Sequence, residues 1–578
     1  MAAPSSLGLC ILLEKSIPGA SLDSSARYPP PRCHPGTRAE YIEKLTMWGR
    51  NANSHPERIA WMMGLAAVGK SAIAQTCAED LGDKLAAAFF FSRPNNRDDP
   101  NRFFTSISHQ LAVKYDSFAD IIDRSIIRNP TLVNKALPHQ FQNLIANPIQ
   151  QLQCEGKGLP ELVIVVDGLD ECADAQAQND IVKIIAQSTR KQSTPFLWII
   201  FSRPEPHLIG VFNSFEVKPA TLPIELRVSR EVDGDIAMFV AYQLRETARK
   251  HPQFPLSWPS EQEVWEIVDL SDGLFACAEA ASRFIDDDDS AGPEAQLRDV
   301  LRLAREHSAQ KRRGNSSTGL DGFYTLVMER VPPKQLQTVL WILLATRMPH
   351  IDDAIYNANL VGLSELQFRN ACRSLHSVMK IISGSYPMLH FYHSSFMDFL
   401  EDPARSKRFC IWSDCAVTLL ANVLVPRFDK VQVRRINDEY MPGLTPTWEG
   451  HSPGSFYLDL SRAFFKLLVL VDSGDDRLRA LNDFDFRKVS LRSGWWVNTR
   501  TVPQKSELIR RVTIKTPLWS DRWGIWFKSL QRPAYVVGHG GKKALLVAVH
   551  GNLHIQPYSR SSNRKLLEHM HRETHGSW

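Results

Sequence analysis

Eight residues in the first third of the chain have the types and spacing needed to hold a phosphate group. They are Gly64-Leu65-Ala66-Ala67-Val68-Gly69-Lys70-Ser71, which fit the pattern G-x-x-x-x-G-K-[ST]. Backbone N–H groups of such a loop, a P-loop, surround phosphate oxygens, and the following helix adds the positive end of its dipole. Lys70 would reach the β- and γ-phosphates of a nucleotide, and the Ser71 hydroxyl would ligate Mg²⁺. The motif predicts a nucleotide site formed by Gly64, Gly69, Lys70, Ser71 and Ala72.

An acidic cluster further along the chain supplies the second half of such a site. The apolar run Leu162-Val163-Ile164-Val165-Val166 ends in Asp167-Gly168-Leu169-Asp170-Glu171. An acidic residue at the end of a core strand holds Mg²⁺ through water in P-loop proteins, so we expect Asp167 to do so. Asp170 and Glu171 are candidate catalytic residues that would orient or activate an attacking water. A solvated acidic turn is the alternative reading of this segment taken alone.

An arginine closes a third apolar run. Phe196-Leu197-Trp198-Ile199-Ile200-Phe201 is followed by Ser202-Arg203-Pro204. A cation at the end of a core strand is well placed to sense a γ-phosphate, which makes Arg203 a candidate catalytic residue. Taken alone, the same arginine reads as a surface residue.

The elements that must position these residues are strands alternating with amphipathic helices. Arg58–Met63 is strand-like and precedes the loop, and Ile73, Cys77 and Leu81 recur after it at helical spacing. A strand is also predicted at Ala88–Phe91, and helices at 103–111 and 181–185. This alternation predicts a three-layer α/β core with a parallel sheet. Ala67 stands where glycine is usual, at a cost of about 1 kcal/mol if the backbone there needs a positive φ.

Composition limits the remaining classes. Hydrophobic residues make up 43% and charged residues 23% of the 578 residues, which is the balance of a globular protein. The net charge of +5 is small for this length and makes nucleic-acid binding an unlikely role. Nine dispersed cysteines are typical of reduced thiols, and no apolar run reaches the length of a membrane span. We therefore expect a cytoplasmic protein.

These motifs together resemble the NACHT (nephrocystin-type) P-loop NTPases that are abundant in mushroom-forming fungi. Val165–Glu171 is similar to the family's Walker B motif, and Phe201-Ser202-Arg203-Pro204-Glu205 to its sensor 1. Cys33–Arg38 and Ala88–Arg93 are similar to further family segments. The resemblance implies an ATPase of the STAND class, related in architecture to NLR immune receptors, that acts in signal transduction.

The resemblance continues to about residue 410. Ser271–Phe275 and Leu320–Tyr324 are similar to family motifs, and residues 334–400 suit a winged helix with a hairpin at Met379–Ile382 and Met388–Tyr392. His393-Ser394-Ser395-Phe396-Met397-Asp398-Phe399 matches the family's H-x-S-F-x-D-F. The resemblance implies that His393 contacts the β-phosphate of ADP and locks a closed state. A buried histidine that only caps a helix is the alternative.

The predicted organisation has five parts. They are an uncertain N-terminal segment (1–32), a NACHT P-loop NTPase domain (33–222), a helical domain (223–318), a winged helix (319–410) and an uncertain helical C-terminal region (411–578). We expect no effector domain before residue 33, and no ankyrin, WD40 or TPR repeat after the winged helix.

The region after residue 410 gives weaker indications. Ala463–Val471 is predicted to be a buried helix. Trp495, Trp496, Trp519, Trp523 and Trp526 lie among basic residues that could bind nucleic acid or a membrane surface, although a divergent surface region is the simpler interpretation. The histidines at 569, 571 and 575 lack a ligand framework, and the aspartates at 286–289 lack EF-hand spacing.

The resulting hypothesis is a two-state switch with ATP/ADP and Mg²⁺ as cofactors. An ADP-bound closed form exchanges to an ATP-bound form that oligomerises or recruits protein partners, with slow hydrolysis as the possible enzymatic activity. One alternative is an interaction scaffold that binds nucleotide without turnover, and another is a P-loop phosphotransferase for a small molecule. ATP rather than GTP is implied by the resemblance alone, and the signal, effector and oligomer size stay undetermined.

Overall fold

A computed structural model describes most of the chain up to residue 430 and shorter stretches between residues 445 and 557. The described residues are 6–430 without 52–55, 252, 256, 288–291, 314–317, 349–352, 385 and 413, then 445–450, 456–457, 459–461, 463–464, 467, 495–498, 534–539, 542–549 and 552–557. Contacts divide the chain into two compact units. The first contains 1–330, 375–382 and 389–399, and the second contains 331–374, 383–388 and 400–578.

A parallel sheet of five described strands forms the centre of the first unit. Its strands, in the spatial order β2-β3-β4-β1-β5, are β1 (Ile59–Gly64), β2 (Leu85–Phe90), β3 (Leu162–Asp167), β4 (Phe196–Ser202) and β5 (Thr221–Leu226). Every residue of β3 and β4 is buried, because helices cover both faces of the sheet. The prediction of a parallel α/β core is confirmed.

Helices in this part of the chain divide between the two faces. Their bounds are α1 (Leu7–Glu14), α2 (Ala39–Arg50), α3 (Lys70–Leu81), α4 (Phe103–Lys114), α5 (Asp116–Arg128), α6 (Leu137–Phe141), α7 (Asn147–Cys154), α8 (Ala175–Lys191) and α9 (Pro206–Phe212). One face packs Trp48 of α2 and Ile73 of α3 against Val163 and Val165. The other packs Phe104 of α4 and Ile181 of α8 against alternate residues of the same strands. The layers are therefore helix, sheet and helix.

β5 is the one strand of this sheet that the sequence did not predict. Its burial alternates, since Thr221, Ile224 and Leu226 are buried while Pro223 and Glu225 are exposed. This mixed pattern arises because β5 lies at an edge and pairs only with β1. β5 therefore lacks the continuous apolar run that identified β3 and β4.

The N-terminal segment, uncertain from the sequence, packs into the first unit. Leu12 of α1 is fully buried in the core beside α4 and α5. The backbone N–H of Leu9 donates to the Asp123 carboxylate at 3.0 Å, and that of Ile17 donates to the Ser106 hydroxyl at 2.8 Å. The following stretch, residues 18–38, then contacts α3 and the end of β2.

Helices continue after the sheet. Those of the first unit are α10 (Asp233–Lys250), α11 (Glu261–Ser271), α12 (Phe275–Ile285), α13 (Pro293–Arg312) and α14 (Gly319–Glu329). The motif at Ser271–Phe275 separates α11 from α12, because Asp272 (φ 48°) and Gly273 (φ 78°) take left-handed conformations that end α11. The predicted hairpin is present as β6 (Met379–Ile382) and β7 (Met388–Phe391), followed by α18 (Ser394–Glu401).

The second unit is mostly helical in its described residues up to 430. Its other helices are α15 (Pro333–Ala345), α16 (Ala354–Val361), α17 (Glu365–Cys372), α19 (Pro403–Ser406), α20 (Asp414–Leu419) and α21 (Val425–Asp429). Three of these helices, α15 to α17, precede the hairpin in the chain. The helical stretch Pro403–Asp429 is long and apolar enough for a membrane span by length and composition, and 59% of its apolar window is buried. An interior helix passes the same test.

The C-terminal region was predicted to be helical, but its described residues from 495 onward form strands. Four antiparallel strands lie in the order β8-β11-β10-β9, namely β8 (Trp495–Asn498), β9 (Ala534–His539), β10 (Lys542–Val549) and β11 (Asn552–Pro557). β10 and β11 are rich in residues that favour pleated strands, such as Val547, Val549 and Ile555. Of the predicted helix at 463–471, the described residues Ala463, Phe464 and Leu467 are helical and buried. The tryptophans at 519–526 and the histidines at 569–575 lie outside the described residues.

Ala67 gives a test of backbone strain in the P-loop. Its φ is +67°, a left-handed value that costs an L-residue with a Cβ roughly 1–2 kcal/mol. We therefore expect Ala67→Gly to raise the midpoint of thermal unfolding of the first unit by about 1–2 °C. The neighbouring substitution Ala66→Gly is the control and should not stabilise, because Ala66 is not among the described residues with positive φ. Equal changes in the unfolding midpoint for Ala67→Gly and Ala66→Gly would contradict backbone strain at Ala67.

Candidate functional site

A cavity of about 390 Å³ lies in the first unit where the carboxyl ends of the parallel strands meet. Ligands of open α/β sheets bind in such a crevice. Its lining includes the P-loop, the acidic turn after β3, the start of α12 and the segment from β7 into α18. The predicted site residues among its lining are Gly69, Lys70, Ser71, Ala72, Asp167, Asp170, Glu171, Arg203 and His393.

The P-loop joins β1 to α3 with the geometry that its sequence predicts. Gly69 has φ +97° at the N-terminus of α3, a conformation that glycine adopts without strain. Lys70 Nζ donates to the carbonyl oxygens of Gly64 at 2.8 Å and Leu65 at 2.7 Å. Burial lowers the pKa of Lys70, although the charges of Asp170 and Asp167 oppose this. Gly64 contributes its carbonyl as the last residue of β1 and does not line the cavity.

Asp167 and Ser71 form the part of the cavity that fits a divalent cation. Asp167 is only 3% exposed, and its Oδ1 has no hydrogen-bond partner among the described residues. Burial raises the pKa of Asp167, whereas the neighbouring Ser71 hydroxyl and the Lys70 ammonium favour its ionised form. A buried carboxylate oxygen without a partner, beside a hydroxyl at a P-loop, is the donor set that Mg²⁺ takes in such sites. The residues therefore fit the ion.

The two other acids of the cluster have different surroundings. Asp170 accepts a hydrogen bond from the backbone N–H of Arg203 at 2.9 Å with one oxygen, and its other oxygen forms an ion pair with Arg203 Nε at 3.1 Å. Glu171 accepts one from the backbone N–H of Arg93 at 3.0 Å. Burial, followed by the charge of Asp170, raises the pKa of Glu171 to about 7. Asp170 thus positions the arginine in this structure, and Glu171 has the pKa of a general base at neutral pH.

Arg203 is held by two separate parts of the chain. Besides Asp170, its Nη2 donates to Asp398 Oδ2 at 2.7 Å and to the Ser394 hydroxyl at 3.1 Å. Burial alone would lower the pKa of Arg203, but the carboxylates of Asp398 and Asp170 raise it. The guanidinium is therefore charged and bridges the end of β4 to α18.

His393 lies beside a second ion pair in the same cavity. Its Nε2 is 3.0 Å from Glu279 Oε2 of α12, and Arg283 pairs with the other oxygen of Glu279. Burial would raise the pKa of Glu279, but the Arg283 charge and the His393 contact lower it well below its usual range. The Arg283 guanidinium also stacks on the Tyr392 ring at 3.9 Å. The residues on both sides of the β7–α18 junction are thus bound to α12.

An aromatic end of the cavity was not predicted from the sequence. The His34 ring lies 6.3 Å from that of Phe239, and Phe239 lies 6.3 Å from Phe275. The Arg38 guanidinium sits 5.1 Å from the Phe275 ring, and its Nη2 donates to the P-loop carbonyl of Val68 at 3.1 Å. Flat, partly apolar surroundings of this kind suit a planar base.

Several lining residues gave no signal in the sequence. Glu279 and Arg283 lie on an ordinary helix, and Arg27 lies in the N-terminal segment. Their place in the cavity depends on contacts between parts of the chain far apart in sequence. A four-residue spacing of Glu279 and Arg283 is also the most common pattern of a surface ion pair, so it carries no functional information by itself.

Comparison with known proteins adds one family match. Residues 36–203 match the family described as Nephrocystin 3, N-terminal, which covers less than a third of the chain. No curated protein sequence matches the chain.

Three solved structures are similar at low level. Cdc6p from Pyrobaculum aerophilum has a TM-score of 0.32 at 12% identity, over 68% of this chain and 98% of its own. The Aeropyrum pernix ORC2 protein, solved in ADPNP–ADP complexes, has 0.31 at 11%, over 64% and 94%. PCH-2 of C. elegans has 0.30 at 13%, over 50% and 73%. The family match and the strand–loop–helix unit at Ile59–Leu81 together give residues 36–203 a core of the P-loop NTPase type.

Proposed function

We propose that the chain is a NACHT-type nucleotide-controlled signalling switch. An ADP-bound closed form exchanges its nucleotide for ATP, and the ATP-bound form oligomerises or recruits protein partners. Slow hydrolysis returns the switch to its closed form. Cytoplasmic location, a fungal source and the winged-helix identity of residues 319–410 belong to the same proposal.

The observation that carries the proposal is that the segment His393–Asp398 contacts two different residues of the cavity lining, Arg203 and Glu279. Asp398 and Ser394 bind Arg203, the residue at the sensor position, while His393 binds Glu279 of α12. A γ-phosphate near Arg203 would compete with the Asp398 carboxylate and the Ser394 hydroxyl for the guanidinium. A ligand shifts an equilibrium by its differential affinity for two states, and this competition provides such a difference.

The chain's own residues suit each part of a nucleotide. The P-loop N–H groups and Lys70 would hold the phosphates, and the aromatic end near His34 and Phe275 would hold the base. Mg²⁺, with Ser71 and Asp167 as its protein partners, would neutralise charge on the phosphate oxygens. Glu171, with its pKa near 7, would accept a proton from water.

His393 is proposed as the latch on ADP. It lines the cavity and contacts α12. The first turn of α12 also contacts the P-loop, because the Ala276 N–H donates to the Ala67 carbonyl at 3.2 Å. In this arrangement its ring is held by Glu279 rather than capping a helix. That contact favours the latch over the capping alternative.

A nucleotide-binding scaffold without turnover is the second candidate. It is favoured by Ala67, whose positive φ adds strain to the loop that must wrap the phosphates. It shares the nucleotide site with the switch and differs only in lacking hydrolysis. The two candidates are therefore separated by turnover and not by binding.

Mass spectrometry of nucleotide released from gently purified protein tests the site. We expect wild type to carry ADP in near-equal molar amount and Lys70→Ala to carry none, because the substitution removes the charge that faces the phosphates. Lys44→Ala is the control, since Lys44 is an exposed lysine of α2. An empty wild-type protein, or full occupancy in Lys70→Ala, would contradict the proposed site.

The pKa of Glu171 predicts how turnover depends on pH. A base that titrates near pH 7 is protonated below that pH and active above it. Phosphate release should therefore rise with pH and level off above about pH 7.5, with roughly a tenfold lower rate at pH 6. Glu171→Gln should abolish it, and Glu155→Gln, at an exposed position on the same unit, should not.

Two results would contradict the role of Glu171. One is a release rate that does not change between pH 6 and pH 8, and the other is undiminished release by Glu171→Gln. Bound ADP without any phosphate release would favour the scaffold.

A further inference from the structure

One part of the cavity is lined by basic side chains from three separate segments. Arg27 comes from the N-terminal segment, Arg97 from the turn after β2, and His390 from β7. We call these three residues the cationic end. None of them belongs to the P-loop, the acidic turn or the sensor position, and Arg27 lies outside the residues that match a known family.

Arg27 is buried and fixed in place. It is 4% exposed, and its Nη1 donates to the carbonyl oxygens of Ser21 at 3.2 Å and Leu22 at 3.0 Å. Its guanidinium carbon lies 3.3 Å from the centre of the Phe90 ring. Nε and Nη2 form no hydrogen bond with the described residues, and no carboxylate among them lies within ion-pair distance of Arg27.

Charges of both signs act on Arg27, and among them that of Arg97 is the largest. Burial, followed by the charge of Arg97, lowers the pKa of Arg27 to about 9, although Asp167 and Glu79 act in the opposite direction. Arg97 is itself 8% exposed, and its Nε donates to the Phe90 carbonyl at 3.2 Å. Burial and the same arginines lower the pKa of His390 to about 3, so its ring is neutral. The cationic end therefore has more positive than negative charge.

Such an arrangement is costly without an anion. A buried charge without a partner destabilises a protein by several kcal/mol unless it is neutralised or bound. A guanidinium held by one nitrogen still presents its remaining N–H groups as a fork, and this fork matches two oxygens of a phosphate. The neutral His390 ring adds a hydrogen-bonding nitrogen without adding charge.

We propose that Arg27, supported by Arg97, binds a phosphate group at the cationic end of the cavity. The phosphate is either the terminal group of the bound nucleotide or a free phosphate ion. The nucleotide source rests on the proposed function, because it requires a nucleotide in the cavity. Binding of the free ion does not depend on it.

Thermal unfolding with inorganic phosphate as the only added ligand tests the site itself. A ligand that binds only the folded state raises the unfolding midpoint with its concentration. If the site binds the free ion, millimolar phosphate should raise the midpoint of thermal unfolding of wild type and of Lys70→Ala, but not that of Arg27→Met. Chloride at equal ionic strength is the reference. Lys15→Met is the control, because Lys15 is a half-exposed lysine of the same segment whose Nζ pairs with Glu14.

The ratio of ATP to ADP affinity tests the nucleotide source. If the terminal phosphate occupies the cationic end, Arg27→Met should reduce this ratio at least fivefold while Lys15→Met leaves it unchanged. A response to phosphate without a change in this ratio assigns the site to the free ion. A phosphate response in a protein that binds no nucleotide would reject the proposed function and support this site.

The proposal is overturned if Arg27→Met matches wild type in both measurements. Should Arg27→Met fail to fold, Arg97→Met and Arg27→Lys replace it. Loss of the phosphate response or of the affinity ratio in Arg97→Met, with a weakened response in Arg27→Lys, supports the site, because lysine keeps the charge but lacks the fork. Wild-type behaviour of Arg97→Met in both assays overturns it.

Discussion

The guanidinium of Arg203 joins two separate parts of the first unit that border the cavity. It leaves the end of β4, in the middle of the sheet, and is bound there by Asp170 from the turn after β3. On its other side it binds Asp398 and Ser394 of α18. Because these contacts are half-buried and charged, removing one partner would leave an uncompensated charge. The position of α18 beside the cavity therefore depends on the ion pairs that Arg203 forms with Asp170 and Asp398.

The cavity combines opposing charges in a small volume. Asp167, Asp170, Glu171 and Glu279 face Lys70, Arg203 and further arginines, and burial strengthens each interaction. The consequences differ from group to group. Glu279 stays ionised because Arg283 and His393 contact it directly, whereas burial, followed by the charge of Asp170, raises the pKa of Glu171 to about 7. The same set of carboxylates thus contains a permanent anion and a group able to exchange a proton.

The sequence was sufficient to predict the elements that carry local signals. The loop at Gly64–Ser71 has a motif, and β3 and β4 have continuous apolar runs, so both the sheet and the residues at its carboxyl edge could be located. The parts that were missed depend on tertiary contacts. β5 is an edge strand with mixed burial, and Arg27 lines the cavity from an N-terminal segment that carries no motif. Asp170 was expected to act on water, but no sequence pattern shows that Arg203 would occupy both of its oxygens.

The rate at which ADP leaves the protein tests the central claim most directly, that the segment from His393 to Asp398 holds the nucleotide in place. Asp398→Asn removes the charge that competes for Arg203, and His393→Ala removes the proposed latch. Each should accelerate ADP release at least tenfold over wild type, about 1.4 kcal/mol, measured with a fluorescent ADP analogue chased by unlabelled ADP. Asp120→Asn, at an exposed position on α5, should release ADP at the wild-type rate. Wild-type release by both Asp398→Asn and His393→Ala would contradict the account, because the segment would then have no part in retaining the nucleotide.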